Sequence, residues 1–374
     1  MKFLHFAYNG LPSVILLTLA LSPSASAACT ATGFMRDSMN LTAAVINTTV
    51  AVGATVDATG CNIGIYYSTG THTINTVTVV NASSFGIVNN GASVTIENSI
   101  IHDVGLNTTF DDQGYGIYFA IGSGAHGSIT GNFVWNYGNS GIVVNGGLPS
   151  SNASVAITAN SVVGVGPSDT ISQTAIQLGF GALGNIASNT IIANSYSGLQ
   201  GGQGTGILVF GGPCYILPPN SSPTISGITI ADNILVSNNV GIAVFNLDAS
   251  CNTSTNASNN SITGNLIQKS GVTSKTGWSV NPPEGYQAGV QDAAKGDTIE
   301  LNTICGHGYA PRTPPPYLHY IDRTLAIAPI IGSNNTSRSC PAPALATDVS
   351  AASSDLSESA NVISHGPIQP VIRR

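Results

Sequence analysis

Ile129-Thr130-Gly131-Asn132-Phe133-Val134, followed seven residues later by Gly141-Ile142-Val143-Val144, is one turn of a repeat that runs through most of the chain. The first phrase, Ile-x-x-Asn-x-apolar, returns around Asn160, Asn189, Asn233, Asn265 and Asn302; an earlier copy from Ile96 to Ile101 has Ser99 in the Asn place. The second phrase, Gly-Ile-x-apolar, begins again at Gly116, Gly206 and Gly241, varies as Ala175-Ile176-Gln177-Leu178 and degrades to Gly289-Val290-Gln291-Asp292. Phe85-Gly86-Ile87-Val88 is an upstream copy. Each phrase alternates apolar and polar positions and is rich in β-branched residues, so each is read as one short strand. Gly and Asn between them supply the positive-φ bends of the corners. One coil cannot bury its inward face alone. Coils stacked about 4.8 Å apart pair every strand with its neighbours and share one core. A propeller needs four longer strands per repeat, which these spacings do not provide.

The expected fold is therefore all-β: a single-stranded right-handed parallel β-helix over residues 55–311. Residues 28–54 are read as an N-terminal cap region, in which Phe34 to Thr49 forms an amphipathic cap over the first coil and hides its open edge. Residues 312–374 read as an irregular Pro/Ser/Ala-rich tail, opening with Pro314-Pro315-Pro316. Residues 1–27 carry an apolar stretch centred on Val14 to Leu21 and an Ala25-Ser26-Ala27 cleavage pattern, the signature of a secretory signal peptide. Cys29 invites a lipoprotein reading, but Ser26 stands where a lipobox wants Leu. The mature protein is expected to be secreted or extracytoplasmic, without a transmembrane span.

Charged residues make up only 7% of the chain, against roughly a quarter in an ordinary domain. Between Arg36 and Lys269 there is no Lys or Arg, while Glu97 and eight aspartates fall in that span. A wall without a fixed cation repels phosphate and polyuronate backbones alike, which argues against nucleic acid as a partner. The six cysteines form no C-x-x-C pair, so zinc and iron–sulfur sites have no support, and an even count in an exported chain points to disulfides. Cys214 and Cys251 follow the second phrases at Gly206 and Gly241 at similar distances, on neighbouring coils; stacking brings them within bonding range. Cys29–Cys61 and Cys305–Cys340 are expected to tie the two ends.

The two phrases resemble the coils of the pectin-lyase-like right-handed parallel β-helix proteins, over roughly residues 55–305. That resemblance implies the fold and leaves the activity open, since the group holds lyases, hydrolases, epimerases and non-catalytic adhesins. The recurrent Asn is read as a ladder of stacked amides at one corner.

Function is sought where the coils differ. The long links His102–Tyr115, Val163–Thr174, Ile192–Thr205 and Gln268–Ala288 all lie between the first phrase and the second, and so rise beside the second strand. Outward positions of that strand include Tyr118, Gln177 and Gln291, and the loops add Tyr115, Gln173, Trp278 and Tyr286. Aromatic faces with amides suit a neutral sugar polymer, which offers C–H faces and hydroxyls. Asp111-Asp112 and Asp169, two coils apart, are the candidate catalytic carboxylates; the same oxygens suit calcium, the one cofactor suggested. Adjacent aspartates resemble the polygalacturonase family, but the Gly306-His307-Gly308 that would complete its pattern lies some six coils away, and an acidic turn is the plain alternative. Pectate-lyase-like elimination needs a basic residue beside the aspartates, for which only Lys269, Lys275 or Lys295 offer themselves. Gly122-Ser123-Gly124-Ala125-His126-Gly127 precedes another strand and not a helix, so it reads as a tight corner. The expected function is binding or processing of an extracellular polysaccharide by a monomer, with hydrolysis of a neutral glycan favoured over elimination and a non-catalytic adhesin-like rod as the alternative.

Overall fold

The computed structural model describes residues 28–36, 38–106, 114–147, 153–198, 203–214, 216–217, 220–221, 223–273, 286–311 and 317–338. It is a parallel β-helix built from three long sheets of eleven, nine and ten strands, here sheets I, II and III. Each coil has three strands, one more than the two phrases suggest. Gly-Ile-x-Val lies on sheet I, as in Ser140–Asn145. The Ile-x-x-Asn-x-Val phrase is split: His126–Thr130 belongs to sheet II and Phe133–Tyr137 to sheet III. The split has a local cause. The residue before each ladder position turns into the left-handed region, at Asn98, Gly131, Ala159, Ser188, Asp232, Gly264 and Leu301. The bend lets Ile129 and Val134 both face inward although five residues apart, and both are fully buried.

The buried Asn side chains hold that corner. Asn160 donates its backbone N–H and its Nδ2–H to Asn189 Oδ1 at 2.9 and 3.0 Å, and its Nδ2 also donates to Ile129 O at 2.9 Å. The same set repeats from Asn132 through Asn302. Ser99 starts the ladder and Asn335 ends it. Inside, Ile65, Ile87, Ile117, Ile142, Ile176, Ile207 and Ile242 form one unbroken stack of fully buried side chains. Each is worth roughly 1.5–3 kcal/mol relative to an exposed side chain. The Gly of the second phrase is steric: a Cβ on Gly141 would sit 2.4 Å from Val162 Cγ1 and 2.7 Å from Ala175 O. The side chain of Val162 on sheet III fills that space.

Both ends differ from expectation. The N-terminal cap is a β-hairpin, Thr30–Arg36 with Met39–Ile46, whose second strand joins sheet I beside Ile63–Tyr67. Its tip folds over the outer face of sheet I, where Phe34 meets Tyr66, Phe85 and Tyr118 at 6.1, 6.1 and 6.4 Å between ring centroids. At the other end the coils continue past 311: Leu318–Asp322, Ile330–Ile331 and Thr336–Arg338 add a parallel strand to each sheet. Tyr320, Ile321 and Ile331 pack there against the bottom of the core, in a stretch whose phrases are too degraded to read. Disulfides join Cys29–Cys61 and Cys214–Cys251, with Cα–Cα distances of 5.3 and 4.9 Å. Cys305 is also disulfide-bonded; its expected partner Cys340 lies outside the described residues, as do residues 1–27. The Gly122–Gly127 stretch is a turn leading into the His126–Thr130 strand.

Candidate functional site

Strand register places Tyr118, Val143, Gln177, Leu208, Ala243, Gln291 and Asp322 in one outward row along sheet I. The row is closed at its N-terminal end. Tyr118 is buried under Phe34, with Tyr115 stacked beside it at 5.4 Å. The Arg36 guanidinium lies 5.9 Å from the centroid of the neighbouring Phe85 ring. Tyr118 is therefore part of an aromatic seal and presents no free ring face. Gln173 is buried as well: its Oε1 accepts from Val165 N at 2.7 Å and its Nε2 donates to Tyr137 O, so it holds its loop instead of facing the groove.

The middle of the row is partly exposed. Gln177 is half-buried and donates through Nε2 to Asn145 Oδ1 at 3.3 Å. Leu208, the next residue of the row, and Phe245, two strands from Gln177, are half-exposed. Gln203 reaches across the fully buried Ala243 to Gln291, Nε2 to Oε1 at 3.4 Å, forming an amide arch over the sheet. Gln203 Oε1 is itself buried and has no hydrogen-bond partner among the described residues.

At the C-terminal end Tyr286 donates its hydroxyl to Asp322 Oδ2 at 2.7 Å, and Thr324 donates N–H and Oγ1–H to Asp322 Oδ1 at 3.0 and 2.6 Å. Burial alone would raise the Asp322 carboxyl. The Thr324 and Tyr286 donors, with His319 nearby, outweigh it and hold Asp322 below the usual carboxylate range. Burial, reinforced by Asp322, pushes the Tyr286 phenol well above its ordinary value. The His319 ring lies 5.8 Å from that of Tyr286. The sequence reading missed Asp322 and His319 because they lie beyond Pro311, in the degraded last coil.

Of the three candidate carboxylates, Asp111 and Asp112 lie outside the described residues, as does Trp278. Asp169 is an exposed loop residue on the coil of Gln177. The strand of its coil lies four strand steps, about 19 Å along the rod, from that of Asp322, beyond the roughly 5–10 Å at which two carboxylates share a glycosidic bond. No group of three His, Cys, Asp or Glu converges among the described residues.

Beneath the long loops lies a polar cluster. Lys269, a candidate base from the sequence, is 2% exposed and donates from Nζ to Ser195 Oγ at 3.0 Å; Ser195 in turn donates to Ser237 O. Burial pulls the Lys269 amine down to about 7. Its neighbours are hydroxyls, carbonyls and amides, and it lies beneath the surface.

Fold and surface together define a parallel β-helix protein with a partly covered outer face on sheet I. Among the described residues no helix is long and apolar enough to cross a membrane. No family model matches the chain, and no curated protein matches it. Among solved structures, the crystal structure of Dettilon tailspike protein (gp208) is similar over 74% of this chain, with a TM-score of 0.46 and 13% identity. The match spans 48% of that protein, so this chain corresponds to about half its length.

Proposed function

We propose that this is an exported protein that binds a neutral glycan along the outer face of sheet I, between the hairpin flap and the Tyr286–Asp322 pair. The observation that carries the reading is the Gln203–Gln291 amide pair, set at an outward row that also carries half-exposed Gln177 and Leu208. Amides that both donate and accept match sugar hydroxyls, and apolar neighbours match the C–H faces of the ring. A body without Lys or Arg from 37 to 268 favours an uncharged polymer over an anionic one. Disulfides in three places along the rod suit an oxidising, extracytoplasmic compartment. Among the described residues, Asp322 and Asp169 stand too far apart to share a glycosidic bond, so the reading rests on binding.

The test is calorimetry against a panel of neutral oligosaccharides, with product analysis of the same mixtures. The double variant Gln203→Ala/Gln291→Ala should bind about tenfold more weakly, the loss of one or two hydrogen bonds. An affinity unchanged in that variant, or no binding to any panel member, would overturn the assignment of this face. Accumulating product would replace binding by hydrolysis.

A further inference from the structure

The outer face of sheet III carries a second feature. Register aligns Phe133 with Ser161, Thr190 and Ile234, and Trp135 with Val163, Ile192 and Val236. Two aromatic side chains thus stand on one strand; in the Phe133 row the surface falls to Ser161 and Thr190 and rises again at Ile234, which is 41% exposed, while the Trp135 row falls to the aliphatic Val163, Ile192 and Val236. The result is a trough across the sheet, spanning three strand steps, about 14 Å between its bounding strands.

Its wall is chemically specific. One face of the Trp135 indole stacks on His102 at 4.7 Å and 9°, and Phe133 flanks it at 6.3 Å. On the trough side its neighbour is Val163, branched at Cβ and too short to cover the indole, so that face overhangs the floor. The Trp135 ring is half-buried, and its Nε1–H has no hydrogen-bond partner among the described residues; neither have the Ser161 and Thr190 hydroxyls. His102 Nδ1 lies 2.8 Å from Asp103 Oδ2, and Asn136 Nδ2 donates to the other carboxylate oxygen. This fixes the ring that backs the indole. The floor carries no charged side chain, and the adjacent coils hold no Lys or Arg. An amphipathic ring with a free donor, facing hydroxyls on an uncharged floor, has the chemistry of a sugar subsite. A phosphate-bearing or acidic ligand finds no counter-charge there.

We infer that this trough is a second saccharide-binding site, in which a neutral sugar ring stacks on the free face of Trp135 over Val163 and Ile192. The inference rests on the glycan-binding reading above, but on different residues and a different sheet.

The chain has two tryptophans, so protein labelled with ¹⁵N-tryptophan gives two indole N–H signals, and Trp135→Phe identifies that of Trp135. Titration of the full chain with neutral hexasaccharides of glucose, xylose, mannose and N-acetylglucosamine should shift the Trp135 signal saturably. Val163→Tyr, which fills the trough, should abolish the shift, and Trp135→Ala should weaken binding at this site about two- to tenfold. Gln203→Ala/Gln291→Ala should leave the Trp135 response in place. A Trp135 signal that stays still while calorimetry records binding overturns this site alone. Silence in both measurements overturns it together with the parent reading. A shift that follows protein concentration and not sugar would assign the trough to a second copy of the chain, and would also overturn the proposal.

Discussion

Asp292 occupies an inward place that Phe119, Val144, Leu178, Val209 and Val244 fill in the coils above it. One oxygen accepts from Ala294 N at 3.0 Å, and the other has no partner among the described residues. Burial, with repulsion from Asp297, raises its carboxyl to about 7, and burial raises Asp297 as well. Lys269 is the converse, an amine drawn down to about 7 by burial. The linkage signs follow. Between pH 4 and 7 the folded state holds a proton on Asp292 that the unfolded chain has released, so this contribution to stability is lost as pH rises. Between pH 7 and 10 the unfolded chain holds a proton on Lys269 that the folded state has released, so this contribution grows with pH. Together they place a stability minimum near neutrality. Urea unfolding as a function of pH should show Asp292→Asn gaining roughly 1–3 kcal/mol at pH 8 and little at pH 4. Lys269→Met should gain more at pH 6 than at pH 10. Wild-type and variant curves that run parallel across the range would disprove both assignments.

At the scale of the strand and its corner, the amide ladder is the part of the structure most legible in sequence. Asn at a fixed place in each phrase marks a side chain that must bond along the rod, and the structure supplies those bonds from Asn132 to Asn335. Removing one rung strands two donors and a carbonyl. Asn189→Ala deletes the acceptor of Asn160 N and Nδ2 and the donor to Ile157 O, and should cost about 2–4 kcal/mol in urea unfolding. A cost below about 1 kcal/mol would mean that water replaces the amide. The division of that phrase into two strands was not legible. A period-2 reading passes straight through Gly131, Ala159 and Ser188, because nothing in Ala or Ser announces a left-handed backbone. Burial of Gln173 and Tyr118 escaped for a related reason. Alternation says which way a side chain leaves the strand; it does not say whether another segment lies over it.

At the scale of the molecule, repetition makes the body predictable and the ends obscure. The Cys214–Cys251 bridge followed from register alone, since matching loops on neighbouring coils must stack. The hairpin and the last coil are made once each and leave no periodic trace, so the sequence put Asp322 and Tyr320 in an irregular tail. The outward row of sheet I was recoverable at Gln177 and Gln291, while its closure by Phe34 was not.

The hairpin also sets the polarity of the rod's first end. Thr30–Arg36 runs antiparallel to Met39–Ile46, and every other strand pairing in the three long sheets is parallel. A second molecule offering a parallel strand meets one of the wrong direction, so the hairpin acts as a growth terminator as much as a lid. Deleting residues 28–46 would expose a live parallel edge at Ile63–Tyr67, together with the aromatic patch of Tyr66, Phe85 and Tyr118. Such a variant should elongate into fibrils, visible as rising light scattering and thioflavin fluorescence under conditions where the intact chain stays clear. If the truncated rod stays clear too, polymerisation is held back elsewhere, and the reversed strand is only a fastening.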